Sequence, residues 1–164
     1  MYIRSYRPED CSAVLQLFFQ TVHTVNAKDY TPQQLDAWAD GKEDPVLWNL
    51  SLSQHNCLVA ISDGILVGFA DMDATGYLDR LYVHKDYQRQ GIGKALCDHL
   101  EAHAPSDCVT VAASITAKPF FEARGYRVVR EQQVERKGCL LTNFLMAKIL
   151  VPSPHLSSVK KILK

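Results

Sequence analysis

The stretch that decides the fold runs from Gly76 to Cys97: Gly-Tyr-Leu-Asp-Arg-Leu-Tyr-Val-His-Lys-Asp-Tyr-Gln-Arg-Gln-Gly-Ile-Gly-Lys-Ala-Leu-Cys. Tyr77 to Val83 predicts a strand, and the segment from Gly91 or Ile92 onward predicts a helix. Between them lies the turn Gln88-Arg89-Gln90-Gly91-Ile92-Gly93. Two glycines at a helix mouth let backbone approach a bulky ligand with no Cβ in the way. The first-turn N–H groups lack intrahelical partners and sit at the positive end of the helix dipole. Such an end binds phosphate, and Arg89 and Lys94 add positive charge beside it. The chemistry points to a cofactor with a pyrophosphate, gripped mainly by main chain.

Two familiar phosphate loops fit badly. The Rossmann fingerprint needs a third glycine where this chain has Leu96. The Walker A loop needs other spacing and a hydroxyl after the lysine, where Ala95 stands. What remains is Q-x-x-G-x-G behind a strand ending Leu-Tyr-Val-His. This resembles the acetyl-CoA signature of the GNAT superfamily, the GCN5-related N-acetyltransferases. Ile3 to Asp10 resembles that family's first strand running into its first helix. Ala113 to Tyr126, with Lys118-Pro119-Phe120-Phe121-Glu122 inside it, resembles the family's A-x-x-F-Y-E-x-x-G-F segment. The resemblance implies an α/β fold with a mixed, mostly antiparallel central sheet and helices on both faces. It also implies an N-acetyltransferase that uses acetyl-CoA as co-substrate.

Length and composition agree with a soluble globular protein of about one domain. The chain has 164 residues, 47% hydrophobic and 22% charged, with 18 basic and 18 acidic side chains. No basic excess points to nucleic acid or an anionic membrane. The N-terminus lacks an apolar signal core and no apolar run reaches transmembrane length, so a cytoplasmic protein is expected. Five scattered cysteines, never spaced C-x-x-C, read as buried free thiols. His99 and His103 share a helix face but lack an evident third ligand, so no metal is expected.

Hydrophobic periodicity and turn chemistry predict the order β-α-α-β-β-β-α-β-α-β-β, with a domain over 1–150 and a tail over 151–164. Thr31, Pro32 and Gln34 open a helix with a capping box, and Asp44-Pro45 reads as its stop. Asp63-Gly64 marks a tight hairpin, and a last hairpin turns around Arg136-Lys137-Gly138. The prolines of the tail read as a spacer before a short basic appendage.

The resemblance places pantetheine contacts at the backbone of Leu81, Tyr82 and Val83, with the Val83 N–H as donor to the thioester oxygen. It places the pyrophosphate at Arg89, Gln90, Gly91, Ile92, Gly93 and Lys94. Ser114 stands where the family usually has a pantetheine-binding Asn; capping the next helix is its other reading. Phe120 and Phe121 border the same groove. Phenylalanine at 121 removes the tyrosine that often protonates the departing thiolate. Either Tyr82 or Tyr77 serves instead, or the thiolate leaves unassisted, since a thiol pKa of about 8.5 makes it a tolerable leaving group.

Strand alternation predicts Tyr77, Asp79, Leu81 and Val83 on one face, with Asp79 near the family's usual base. Its other reading is an ion pair with Arg80. Asp71 and Asp73 are candidates to join Asp79, giving a carboxylate-rich cleft that favours a cationic amine. His23, Tyr30 and Trp38 are candidates for the acceptor wall, beside ordinary packing. A small amine is the preferred acceptor and no activated nucleophile is placed, so direct attack in a ternary complex is expected. A peptide acceptor, a non-catalytic acyl-CoA-binding module and a homodimer stay open as alternatives.

Overall fold

The computed structural model describes residues 1–150, and the tail reading over 151–164 lies outside them. A seven-stranded sheet runs in the order β1-β2-β3-β4-β5-β7-β6. Its strands are β1 (Tyr2–Ser5), β2 (Asn56–Ser62), β3 (Ile65–Met72), β4 (Tyr77–Val83), β5 (Cys108–Ser114), β6 (Arg127–Arg136) and β7 (Cys139–Ile149). Every neighbouring pair is antiparallel except β4 and β5. Helices α1 (Cys11–Thr24), α2 (Pro32–Trp38) and α3 (Pro45–Gln54) cover one face; α4 (Ile92–Ala102) and α5 (Lys118–Ala123) cover the other. No helix among the described residues is long and apolar enough to cross a membrane.

Alternation on β2 shows why the sheet needs cover on both sides. Cys57, Val59 and Ile61 pack with Val14, Leu17 and Leu52 of α1 and α3, while Leu58 and Ala60 pack with Leu96 and Leu100 of α4. The tight turns follow their chemistry. Asp63 and Gly64 both have positive φ, as do Lys137 and Gly138, which matches the twist a two-residue hairpin needs. The capping box at α2 forms as expected: Gln34 N–H donates to Thr31 Oγ1 at 3.2 Å and Thr31 N–H to Gln34 Oε1 at 2.9 Å.

Helix α3 departs from the sequence reading. Asp44-Pro45, read there as a stop, starts a helix instead. Asp44 accepts the Val46 N–H at 2.9 Å as N-cap, and Pro45 occupies the first turn, where its missing N–H costs nothing.

The second departure lies in β4. Pairing with β3 passes from Asp71↔Arg80 to Met72↔Leu78, leaving Asp79 as the extra residue of a β-bulge. A bulge slips the side-chain alternation by one. Leu78, Leu81 and Val83 therefore pack toward α4, and Tyr82 packs toward α1. The single face expected for Tyr77, Asp79, Leu81 and Val83 does not exist.

Candidate active site

Strands β4 and β5 pair only at Tyr77↔Thr110 and Leu78↔Val111, then diverge. The divergence opens a cleft of about 880 Å³ that reaches from the mouth of α4 to Asp79. His84 N–H donates to Val67 O at 2.8 Å, so alternation points the N–H groups of Arg80 and Tyr82 toward β3. The N–H groups of Leu81 and Val83 then point into the splay. Val83 O already accepts from Gln88 Nε2 at 2.7 Å and from Thr21 Oγ1 at 3.2 Å. Those two bonds tie the glycine turn and α1 to the strand that lines the cleft.

At the cleft's far end, Arg89 (φ 59°) and Gly91 (φ 79°) take left-handed conformations that turn the chain into α4. Glycine is needed at 91 for that reason. The first helical bond runs from Ala95 N–H to Gly91 O, which leaves the N–H groups of Ile92, Gly93 and Lys94 without helical partners. A Cβ on Gly93 would lie 3.5 Å from the Phe120 ring, so Gly93 forms part of the groove floor. Lys94 Nζ is held 2.7 Å from Asp98 of the next turn. Arg89, Gly91, Ile92, Gly93 and Lys94 all line the cleft. Gln90 does not: its Nε2 turns back to Asp86 O at 3.4 Å. Gln88, quoted in the motif but assigned no contact from sequence, takes the lining position.

A smaller cavity of about 140 Å³ lies against the cleft, and Trp38, Asp79, Tyr82, Ala112 and Ser114 border both spaces. Ser114 Oγ also accepts the Ala117 N–H at 3.0 Å within the turn that leads into α5, but Ala117 itself is the N-cap of that helix, so Ser114 lines the cleft without capping it. Tyr77 and Tyr30 line the smaller cavity. The Tyr30 hydroxyl is engaged, donating to Thr142 O at 2.7 Å and accepting from Ile115 N–H at 2.9 Å, so Tyr30 contributes a wall. Tyr82 is stacked on Phe69 at 5.6 Å and meets Phe18 edge-on at 5.0 Å. Burial pushes its hydroxyl pKa well above the usual tyrosine range. Burial, then the charge of Asp79, also raises that of Tyr77. Phe120 and Phe121 both line the cleft, Phe120 half-buried against Gly93 and Phe121 buried with its ring against Tyr126.

The expected acidic cluster divides. Asp71 has no solvent exposure and accepts from Arg80 Nη1 at 2.7 Å, with His55 Nδ1 2.6 Å away. Burial raises its pKa, against the pull of Arg80 and His55. Asp73 is a turn residue whose Oδ1 accepts from Thr75 N–H, Thr75 Oγ1 and Tyr77 N–H. Neither lines the cleft or the smaller cavity. Asp79 alone reaches the cleft, with Arg80 Nη1 3.6 Å and His55 Nδ1 4.0 Å from Oδ2. His23 also falls outside both cavities, because its Nε2 is bound to Ala39 O at 2.7 Å and its ring packs on Phe19. His55 and Arg80 were missed as site residues. His55, Asp71 and Asp79 bring ligand-type atoms within 4.8 Å of one another, but the Arg80 cation lies against both carboxylates, so the trio does not suit a metal ion.

A sheet splayed beside a glycine-mouthed helix, with a carboxylate where the cleft meets a second cavity, defines an acetyltransferase of the GNAT class. The chain belongs to that family: residues 26–148 match the model of the acetyltransferase (GNAT) domain. A curated Escherichia coli K12 protein, the uncharacterized N-acetyltransferase YafP, is 39% identical over 144 residues, or 88% of this chain and 93% of that protein. Among solved structures, a Rhodopseudomonas palustris GCN5-related N-acetyltransferase, also described as a class-II aminotransferase, is 35% identical with TM-score 0.88. That match covers 91% of this chain and 95% of the other. The PaiA N-acetyltransferase of Thermoplasma acidophilum, solved in complex with coenzyme A, shares the fold at 18% identity. Its TM-score is 0.73 over 90% of this chain and 98% of that one.

Proposed function

We propose that the chain transfers acetyl from acetyl-CoA to the nitrogen of a small amine, by direct attack while both substrates are bound. The observation that carries this reading is the continuous cleft from the free N–H groups of α4 to Asp79 and Tyr82, where it meets the smaller cavity. Its length and chemistry suit a long cofactor with a pyrophosphate at one end. The coenzyme A held by the PaiA structure supports the assignment.

Bound acetyl-CoA supplies a thioester: the amine nitrogen bonds to the carbonyl carbon, the carbon–sulfur bond breaks, and coenzyme A leaves as thiolate. The chain's own residues do the rest. Main-chain N–H groups of Ile92, Gly93 and Lys94 hold the pyrophosphate, with Arg89 beside them. The Leu81 and Val83 N–H groups hold the pantetheine arm, and the Val83 donor polarises the carbonyl. Asp79 orients the amine and draws off its proton. Tyr82, kept protonated by burial and bordering both cavities, returns a proton to the thiolate. No step needs a covalent enzyme intermediate: Cys57 is buried with its thiol pKa raised, and burial pushes that of Cys97 up to about 12.

Calorimetric titration with acetyl-CoA tests the reading. Wild type binds, and Gly91→Val, which forces a branched side chain into φ 79°, binds at least about tenfold more weakly. No binding at millimolar cofactor, or equal binding by the variant, would overturn it.

A further inference from the structure

The charge at the acceptor cavity differs from a carboxylate-rich cleft. Asp71 is neutralised inside the protein and Asp73 is spent in its turn, so among the described residues Asp79 is the only acidic side chain lining the cavity. It already has the Arg80 cation 3.6 Å away. Arg136 lines the same cavity from the end of β6. Among the described residues no carboxylate lies within ion-pair distance of Arg136, and its Nη1 donates only to the carbonyl of neighbouring Glu135 at 3.1 Å. Lys137, next in sequence, pairs instead with Asp40. An uncompensated cation on a cavity wall favours an anionic ligand group.

A second observation points the same way. Asn143 lines the cavity, and its side-chain Oδ1 is buried without a hydrogen-bond partner. A buried acceptor left unpaired is costly, and a turn of the amide that brings Oδ1 to the cavity surface lets a ligand supply the donor. Asp79 and Asn143 Oδ1 are both acceptors, suited to the N–H groups of an amine. Arg136 is a donor, suited to carboxylate or phosphate. The cavity volume of about 140 Å³ is close to the roughly 150 Å³ that accommodates a benzene ring, so the body between the two groups is of amino-acid size.

We propose that the acceptor is a small amine that also carries an anionic group, with the amine at Asp79 and Asn143 and the anion at Arg136. This rests on the acetyl-transfer reading above. It gives Arg136 the role of a specificity residue for that reaction.

Initial rates of coenzyme A release on matched acceptors provide the test. Phenylalanine is compared with phenylalaninamide, and O-phosphoethanolamine with ethanolamine; the first pair probes a carboxylate and the second a phosphate. Wild type favours the charged member of at least one pair by about tenfold or more in kcat/KM, the scale of one charge-assisted hydrogen bond. Arg136→Gln loses that preference through acceptor KM and leaves the KM for acetyl-CoA unchanged. Lys137→Gln, whose ammonium pairs with Asp40, keeps it. Uncharged members acetylated as well as charged ones, a preference that survives in Arg136→Gln, or equal loss in Lys137→Gln would each overturn the inference. So would an absence of transfer to both charged acceptors while calorimetry still shows acetyl-CoA bound. Failure to bind acetyl-CoA would instead remove the reading beneath it.

Discussion

Gly68 of β3 and Ile92, the first residue of α4, approach so closely that a Cβ on Gly68 would sit 2.9 Å from Ile92 Cγ2. The same Cβ would lie 3.3 Å from Leu96 Cδ1 and from the Tyr82 carbonyl oxygen. The missing side chain sets how near the mouth of α4 lies to the sheet, and so where its free N–H groups meet the splay. Gly68→Ala is expected to push the helix outward and cost about 1–3 kcal/mol, as overpacking does. Thermal melts should fall by about 2–4 °C per kcal/mol, with acetyl-CoA affinity weakened in the same variant. A stable variant with unchanged affinity would mean that the contact does not set the helix position.

Asp79 stands on a bulge, so its side chain reaches the cleft where a regular strand would have sent it elsewhere. Asp79→Asn keeps the shape and removes the proton acceptor. We expect kcat to fall by about a hundredfold, with the KM for acetyl-CoA unchanged. Stopped-flow single-turnover rates separate loss of chemistry from loss of acceptor binding.

Tyr82→Phe removes the proposed acid while retaining the ring that stacks on Phe69. A drop of about a hundredfold in kcat is expected, again with normal acetyl-CoA affinity. Tyr77 lines the smaller cavity and not the cleft, so Tyr77→Phe should lower kcat by less than about fivefold. The opposite ranking in steady-state rates would move the acid role to Tyr77.

Glu101 contributes acid-sensitive stability. Burial acts to raise its pKa, but hydrogen bonds from Lys148 at 2.8 Å, Tyr126 at 2.9 Å and Arg124 outweigh it, and the net shift is downward. A folded-state pKa below the unfolded value near 4.3 means stability present above that pH and lost as pH falls through the folded value. Glu101→Gln should cost about 1–3 kcal/mol at pH 7 and flatten the decline of melting temperature below about pH 4.5. The remaining slope is shared by Asp10, Asp40 and Asp98, whose pKa values are also lowered by arginine or lysine partners, and by Asp73, lowered by the hydrogen bonds of its turn. Melting curves across pH 3 to 7 for wild type and variant check this.

Much of the fold was legible because its signals are local. Hairpins at Asp63-Gly64 and Lys137-Gly138, the cap at Thr31 and the glycine mouth of α4 each follow from the φ values or hydrogen bonds of neighbouring residues. Helix α3 was missed because Asp-Pro ends one element and begins another with equal ease. Only the packing of Leu52 into the α1 side of the core decides which. Pairing within the site was hidden for a similar reason. Arg80 joins Asp71 across the β3–β4 ladder and Ser51 from α3, and no sequence spacing predicts those partners.

By itself, then, the sequence determined the strand–turn–helix unit, the glycines at its mouth and the unpartnered N–H groups of the first turn of α4, since all depend on bonds between close neighbours along the chain. Tertiary structure decided which carboxylate faces the cleft. The β-bulge turned Asp79 toward it, burial under Arg80 and His55 withdrew Asp71, and the far end of β6 brought Arg136 to the same cavity. Those outcomes rest on strand register and desolvation, which arise only when distant segments pack together.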